Sequence, residues 1–235
     1  INPGGNRAYR PGTLRSEDYT LARYTGASGP VIYRGNNFPS DFVGNGFIPE
    51  PTGNFIRRNI LTETEGTVSA KNAYFQSEFL ASTDERFRPV NLYNGPDGCL
   101  YVVDLYRGLI QHKIFLTTYL RKQIESRGLE SPIHLGRIYR VKWKGGHSTN
   151  PRELTKSNPN DLVKALSDTN GWTRDTAQRL LIELGDQAPV SQIRKAALKS
   201  KNALGRRHAL WTLEGLGQVN KKLITHALED WDGKN

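Results

Sequence analysis

The 235-residue chain contains a single cysteine and no methionine. The lone thiol, Cys99, excludes an intrachain disulfide, a cysteine-based zinc cluster and a covalently attached haem within these residues. Because Cys99 stands in the apolar run after a predicted turn, we expect a buried thiol rather than a nucleophile. No run approaches about 18 uninterrupted apolar residues, so the sequence predicts no membrane-spanning helix. Since the sequence starts at Ile1 without an initiator methionine, we expect it to be a fragment of a larger protein.

Apolar residues are also scarce, at 36% of the chain, whereas 23 glycines and 12 prolines indicate many turns and argue against an all-helical protein. The net charge of +10 raises the question of nucleic acid binding. However, residues 1–150 carry 19 basic and 13 acidic side chains, and the remainder carries 14 and 10. Neither part is a concentrated basic block, and no recognised motif accompanies the charge, so we expect no nucleic acid partner.

Short β-branched and aromatic runs separated by turn residues predict antiparallel strands between residues 30 and 144. One set comprises the runs 30–34, 47–48 and 55–61, and a second set comprises 88–92, 99–104 and 138–143. The segment 95–98, with a Gly-Pro-Asp-Gly sequence, supplies the turn of the second set. Each set has the up-and-down form of a propeller blade. Before the last strand, an apolar pattern near 110–130 favours a helical insertion.

Helical periodicity replaces this alternation after a polar, glycine-rich linker at 145–151. The sequence also repeats at an offset of 32 residues, with Asn170 matching Asn202 and Ala177 matching Ala209. Repeats of this length, with two helices and small alanines in each unit, are typical of HEAT or armadillo arrays. We therefore predict a multidomain fold, β then α. A partial β-propeller of about two blades would span 1–145, and an α-solenoid of HEAT-like repeats would span 151–235.

Three segments carry a resemblance to a known family. They are 84–107, which runs from Asp84 through the turn at 95–98 to Arg107, and the shorter segments 29–35 and 135–141. With the helical repeats they resemble the membrane-bound dehydrogenases of planctomycetes and their relatives. Those proteins join a glucose/sorbosone-dehydrogenase-like propeller to HEAT repeats and often to a c-type cytochrome domain. The resemblance covers nearly the whole chain. It depends on finding the three segments together with the helical repeats, because the turn at 95–98 alone would indicate only a propeller blade.

The resemblance also implies a cofactor site. In soluble quinoprotein glucose dehydrogenases, which the second set resembles more distantly, an Arg-x-Arg pair ahead of the turn contacts pyrroloquinoline quinone (PQQ). Arg86 and Arg88 match that pair, and their forked donors suit the carboxylates of PQQ. The alternative is that both arginines share one strand face and pair with Asp84 or Glu85. The family's cofactor-binding lysine has no counterpart in the loop 48–52. Its catalytic base and calcium loop belong to earlier blades, so calcium and haem c are expected only outside this chain.

Polar residues beyond the strand 99–104 are further candidates. Asp104 is a candidate proton acceptor or metal ligand, and Tyr106 and Arg107 are candidates for substrate binding. The alternative for Asp104 and Arg107 is a structural ion pair. His112 is a candidate general base, although a lone histidine beside a helical insertion is more often a surface residue.

From the resemblance we expect the full-length protein to be a periplasmic or cell-surface dehydrogenase. It would oxidise a sugar or another alcohol or aldehyde with PQQ and pass electrons to a c-type cytochrome, with membrane association through regions outside this chain. The alternatives are a non-catalytic scaffold that binds carbohydrate or protein, and a basic scaffold on anionic polysaccharide. A base histidine and a calcium-binding loop in the upstream sequence would favour the enzyme.

Overall fold

The computed structural model describes residues 25–146 and 150–230. The chain divides into two compact units, which we call the sheet unit and the helical unit. The sheet unit consists of the residues up to Tyr33, Pro39–Asn94 and Cys99–Lys144, and the helical unit consists of Arg34–Phe38, Gly95–Gly98 and the residues from Gly145 onward. Two loops that separate strands in the sequence therefore belong to the helical unit.

The first sheet has five antiparallel strands in the order β1-β2-β3-β4, with β5 also paired to β3. They are β1 (Val31–Ile32), β2 (Gly46–Glu50), β3 (Phe55–Thr64), β4 (Thr67–Asn72) and β5 (Leu80–Ala81). Phe47 of β2 is fully buried, and its ring meets the rings of Tyr33 and Phe79 edge-on, with centroids 6.1 and 4.9 Å away. These aromatic contacts hold the sheet together at β2. The far half of β3 and nearly all of β4 are exposed.

The second sheet has three antiparallel strands with β7 at its centre. They are β6 (Pro89–Asn94), β7 (Leu100–Asp104) and β8 (Arg137–Val141). Alternation along β7 buries Leu100 and Val102, as expected for a strand with one face on the core. The thiol of Cys99 is also buried, which confirms the sequence prediction for this residue.

A helical insertion connects β7 to β8, as the apolar pattern predicted. Its helix α1 (Thr118–Ser126) begins where the Thr117 side chain accepts a hydrogen bond from the Leu120 amide. Leu120 and Ile124, one turn apart, are its buried residues. The insertion is therefore held by a narrow apolar stripe, while its other faces are polar.

The helical unit contains five α-helices within the described residues. They are α2 (Pro159–Ala165), α3 (Gly171–Glu183), α4 (Val190–Lys199), α5 (Ala203–Gly215) and α6 (Lys221–Leu228). Their core includes Leu162, Leu181, Ile193 and Leu213, all at most 1% exposed. Within residues 25–146 and 150–230, no helix combines the length and the apolar character that crossing a bilayer requires.

Asparagine side chains begin most of these helices. Asn158, Asn170, Asn202 and Asn220 each accept a hydrogen bond from a backbone amide in the first turn of α2, α3, α5 and α6. Such caps satisfy amides that have no partner inside the helix. Asn170 does more than cap, because its side-chain amide also donates to the carbonyls of Gly95 and Pro96 at 3.0 and 3.1 Å.

We expect Asn170→Ala to destabilise the chain more than the matched cap change Asn220→Ala. Loss of a cap alone costs about 1 kcal/mol, and loss of the two further hydrogen bonds to the loop carbonyls raises the cost for Asn170 to about 2–3 kcal/mol. Urea denaturation of the two variants measures the difference in the free energy of unfolding. Equal losses would show that the bonds to the 95–98 loop contribute nothing.

The predicted fold class, a partial propeller followed by a HEAT-like solenoid, is wrong. The described residues form a mixed α/β structure with six α-helices and two small antiparallel sheets, of five and three strands, neither of them closed. Propeller blades are typically four-stranded sheets around a common axis, whereas one sheet here has three strands and the other branches at β3. The offset of 32 residues relates α2 and α3 to α4 and α5, and only the short α6 follows in the described residues. Two copies are too few for a stacked array.

Candidate functional site

Arg88, which immediately precedes β6, uses its whole guanidinium to bind backbone carbonyls. Its Nη1 donates to Pro51 at 2.7 Å, its Nη2 to Gly108 at 2.8 Å and its Nε to Arg107 at 2.9 Å. Burial lowers the pKa of Arg88, and the nearby carboxylates of Glu85 and Asp104 oppose that shift. Three of its five N–H groups, one on each nitrogen, are therefore bonded to the protein itself.

Arg86 also binds the protein itself. Its Nη2 donates to the carbonyls of Gly128 at 2.9 Å and Ser131 at 3.0 Å, in the insertion between β7 and β8. PQQ would need two arginines with free guanidinium edges. The contacts of Arg88 therefore do not fit the cofactor role that the resemblance implies. Arg86 keeps a buried Nε that no acceptor in the described residues reaches, and Glu85 binds Arg127 at 2.6 Å.

Asp104 ends β7 and is only 1% exposed. Its Oδ1 accepts hydrogen bonds from the backbone amides of Arg88 at 2.7 Å and Tyr106 at 2.8 Å. Its Oδ2 is also buried, and no donor in the described residues reaches it. A buried carboxylate oxygen without a donor is costly, so it marks a position where a ligand donor would be stabilising.

Glu50, a second buried carboxylate of the sheet unit, provides a comparison for the hydrogen bonding of Asp104. Glu50 is fully buried at the end of β2, and its two oxygens accept hydrogen bonds from the amides of Thr25, Gly26 and Thr52. Both of its oxygens are satisfied, in contrast to Asp104. Burial of a carboxylate in this unit therefore does not by itself leave an oxygen without a donor.

Tyr106 has a backbone φ of 45°, a left-handed conformation that is strained for a bulky side chain. The hydrogen bond from the Tyr106 backbone amide to Asp104 Oδ1 helps to hold this conformation. The guanidinium of Arg137 stacks on the Tyr106 ring, 3.5 Å from its centroid. A hydrogen bond to Asp84 raises the pKa of the Tyr106 hydroxyl. The strain and the stacking together fix one orientation of the ring.

Arg107 and His112, the last two predicted site residues, differ in their burial and in their contacts. Arg107 is half-buried, and the alternative Asp104–Arg107 ion pair is not formed within residues 25–146 and 150–230. His112 is exposed, accepts a long bond from the Ile114 amide and packs on Phe115. The structure thus gathers a strand-end cluster without His112. We define this strand-end cluster as Asp84, Asp104, Tyr106, Arg107 and Arg137.

Two members of the strand-end cluster, Asp84 and Arg137, were not among the predicted site residues. Arg137 pairs with Asp104 in the register of β7 and β8, so correct pairing of the predicted strands would have revealed it. The described ranges contain no group of three or more His, Cys, Asp or Glu side chains that could hold a metal ion. The cluster therefore offers a carboxylate oxygen, an aromatic ring and cationic donors for hydrogen bonding.

A family described as a domain of unknown function (DUF7133) matches residues 5–145, which is more than half of the chain. No curated protein and no solved structure matches. The matched range contains the whole strand-end cluster.

Proposed function

The chain belongs to the DUF7133 family, a domain of unknown function, and we propose that its strand-end cluster binds a sugar or another alcohol as the substrate of a dehydrogenase. The observation that carries the proposal is the buried Oδ2 of Asp104, which lacks a donor in the described residues. A substrate hydroxyl supplies such a donor. The resemblance of the segments 84–107 and 135–141 to membrane-bound dehydrogenases supports the choice of reaction.

The strand-end cluster has a group that could accept the hydroxyl proton in an alcohol oxidation. Oxidising a carbinol removes the hydroxyl proton and a hydride from its carbon. Asp104 would accept the hydroxyl hydrogen at Oδ2 while its Oδ1 stays bonded to two amides, which fixes the carboxylate plane. Arg107 would donate to a second substrate oxygen, and the fixed ring of Tyr106 would pack against a sugar face.

The cofactor and the electron partner belong to the same proposal. PQQ remains the proposed hydride acceptor and a c-type cytochrome the proposed electron acceptor, because the resemblance implies both. Arg88 would not contact PQQ, since each of its guanidinium nitrogens is bonded to a carbonyl, whereas Arg86 would keep its Nε for a ligand. Export to the periplasm or cell surface is proposed on the same ground, and cell fractionation tests it.

We expect Asp104→Asn to lower kcat/KM for the best substrate by about 100-fold or more. Asparagine keeps an oxygen for the two amides but places a donor where the substrate hydroxyl must donate. The assay is oxidation of an aldose and alcohol panel by the full-length protein with PQQ, Ca²⁺ and an artificial electron acceptor. Glu85→Gln, a carboxylate paired with Arg127, is the matched control and should retain activity. Absence of both oxidation and sugar binding in the wild type would refute the proposal.

A second candidate function is sugar binding without catalysis. It is favoured by one observation, namely that Arg86 and Arg88 are held by backbone carbonyls. Calorimetric titration of the same sugars separates the two functions. Binding that Asp104→Asn weakens, with no turnover under any acceptor, would support the binding module over the enzyme.

A further inference from the structure

The helical unit contains two equivalent arginines whose surroundings differ. Arg174 and Arg206 occupy the fourth position of α3 and α5 and are 32 residues apart. The Nη1 of each donates to the carbonyl six residues earlier, Asp168 at 2.7 Å and Ser200 at 2.8 Å. The two side chains therefore leave their helices in the same way.

The second arginine holds a carboxylate and the first does not. Arg206 donates from Nε and Nη2 to the two oxygens of Asp230 at 2.6 and 2.8 Å, with both side chains buried. Arg174 is 4% exposed, and its Nε is buried with no partner in the described residues. The position 32 residues before Asp230 is Leu198, so the sequence supplies no acid to Arg174 at the equivalent place.

Further positive charge surrounds Arg174. Arg207 of α5 is half-buried, and its Nε has no acceptor among the described residues. Arg34 is already paired, with two bonds of 2.8 and 2.9 Å to Asp175. Burial, followed by the charge of Arg174, lowers the pKa of the neighbouring His208 to about 4. His208 is thus neutral at pH 7, and the arginines outnumber the carboxylates.

A surface cavity adjoins this cluster. It measures about 310 Å³ and is lined by five α3 residues, Asp175, Gln178, Arg179, Ile182 and Glu183, whose two carboxylates are both in ion pairs. Gln178 bonds His208 through Oε1 at 2.7 Å, which links a lining residue of the cavity to the histidine beside Arg174 and Arg207. Trp211 stands one turn after Arg207 on α5 and is 56% exposed. The cluster therefore holds two buried guanidinium Nε donors, of Arg174 and Arg207, that have no acceptor in the described residues.

We propose that Arg174 and Arg207 bind a carboxylate side chain from an acidic peptide segment of a partner protein. A carboxylate is the group that the equivalent arginine, Arg206, holds within the chain. Guanidinium forks match carboxylates bidentately, and the adjoining cavity gives room for flanking residues of a peptide. The site lies in the helical unit and is independent of the strand-end cluster.

Binding of a fluorescein-labelled hexaglutamate peptide, followed by anisotropy, tests the site. Arg207→Gln should weaken binding about tenfold or more, because it removes charged hydrogen bonds. Lys222→Gln, at an exposed position of α6, removes the same charge and should change affinity by less than about twofold. Equal losses of affinity in the two variants would show that peptide binding depends only on net charge, and this result would overturn the proposal. A single-stranded oligonucleotide that competes equally, or a wild type that binds no peptide, would also overturn it.

The titration of His208 provides a second readout. The charged groups that face it are Arg174, Asp175, Arg34 and Arg207. A bound carboxylate offsets this positive charge, so saturating peptide should raise the pKa of His208 above about 4 in NMR titrations. A His208 titration that saturating peptide leaves unchanged would contradict binding at this place.

Discussion

Arg88→Leu should lower the free energy of unfolding by about 3–5 kcal/mol, since three backbone carbonyls lose their donor. Leucine cannot donate a hydrogen bond, and each buried carbonyl left without a partner is costly. Arg88→Lys should recover only part of the loss, because one ammonium cannot reach Pro51, Arg107 and Gly108 together. Urea denaturation followed by circular dichroism measures all three proteins.

Arg86→Leu is the matched control for Arg88→Leu. Arg86 binds two carbonyls of the insertion from a more exposed position, so its loss should cost about 1 kcal/mol. Similar costs for both changes would contradict the structural role of Arg88. A fully stable Arg88→Leu protein that no longer binds PQQ would instead restore the cofactor role implied by the resemblance.

The two arginines also show where sequence reasoning fails. Alternation along a strand placed Arg86 and Arg88 on one face, which holds only inside a strand. The strand β6 begins at Pro89, so both residues lie in the irregular segment before it. Their side chains consequently bind different loops, Arg88 the carbonyls at 51 and 107–108 and Arg86 those at 128 and 131. Local pattern gave no information about these distant contacts.

Local elements were predictable where apolar periodicity was strong. The turn at 95–98, the strands β6 and β7 and the helix α1 appear where the residues favour them. The strand β4 was missed because its residues are polar and exposed, and β5 because it has only two residues. The sheet closure that a propeller requires depends on pairing between distant segments, which the alternation within each strand does not encode.

The candidate site was predictable in part for the same reason. Asp104 and Tyr106 followed from the end of a clear strand. The absence of a donor at Asp104 Oδ2 and the stacking of Arg137 on Tyr106 depend on residues that β8 brings back after the insertion. The sequence therefore indicated the chemistry of individual residues, whereas only the fold showed which of these residues lie close together.

Breaking the buried ion pair of Arg206 and Asp230 should also cause a large loss of stability. Asp230→Ala should lower the free energy of unfolding by about 3–5 kcal/mol, because it leaves a buried guanidinium without its carboxylate. Arg174→Met is the comparison at the equivalent position, where two carbonyl bonds but no carboxylate are lost, and it should cost about 2 kcal/mol. Urea denaturation of both variants gives the two values.

The double change Arg206→Met with Asp230→Leu distinguishes the pair from simple loss of packing. Apolar side chains of similar volume remove both charges together, so much of the stability lost in Asp230→Ala should return. A double variant no more stable than Asp230→Ala would show that the ion pair itself is not the cause. Recovery would instead establish that a buried arginine at this position requires a carboxylate, which is the physical premise for assigning an acidic ligand to Arg174.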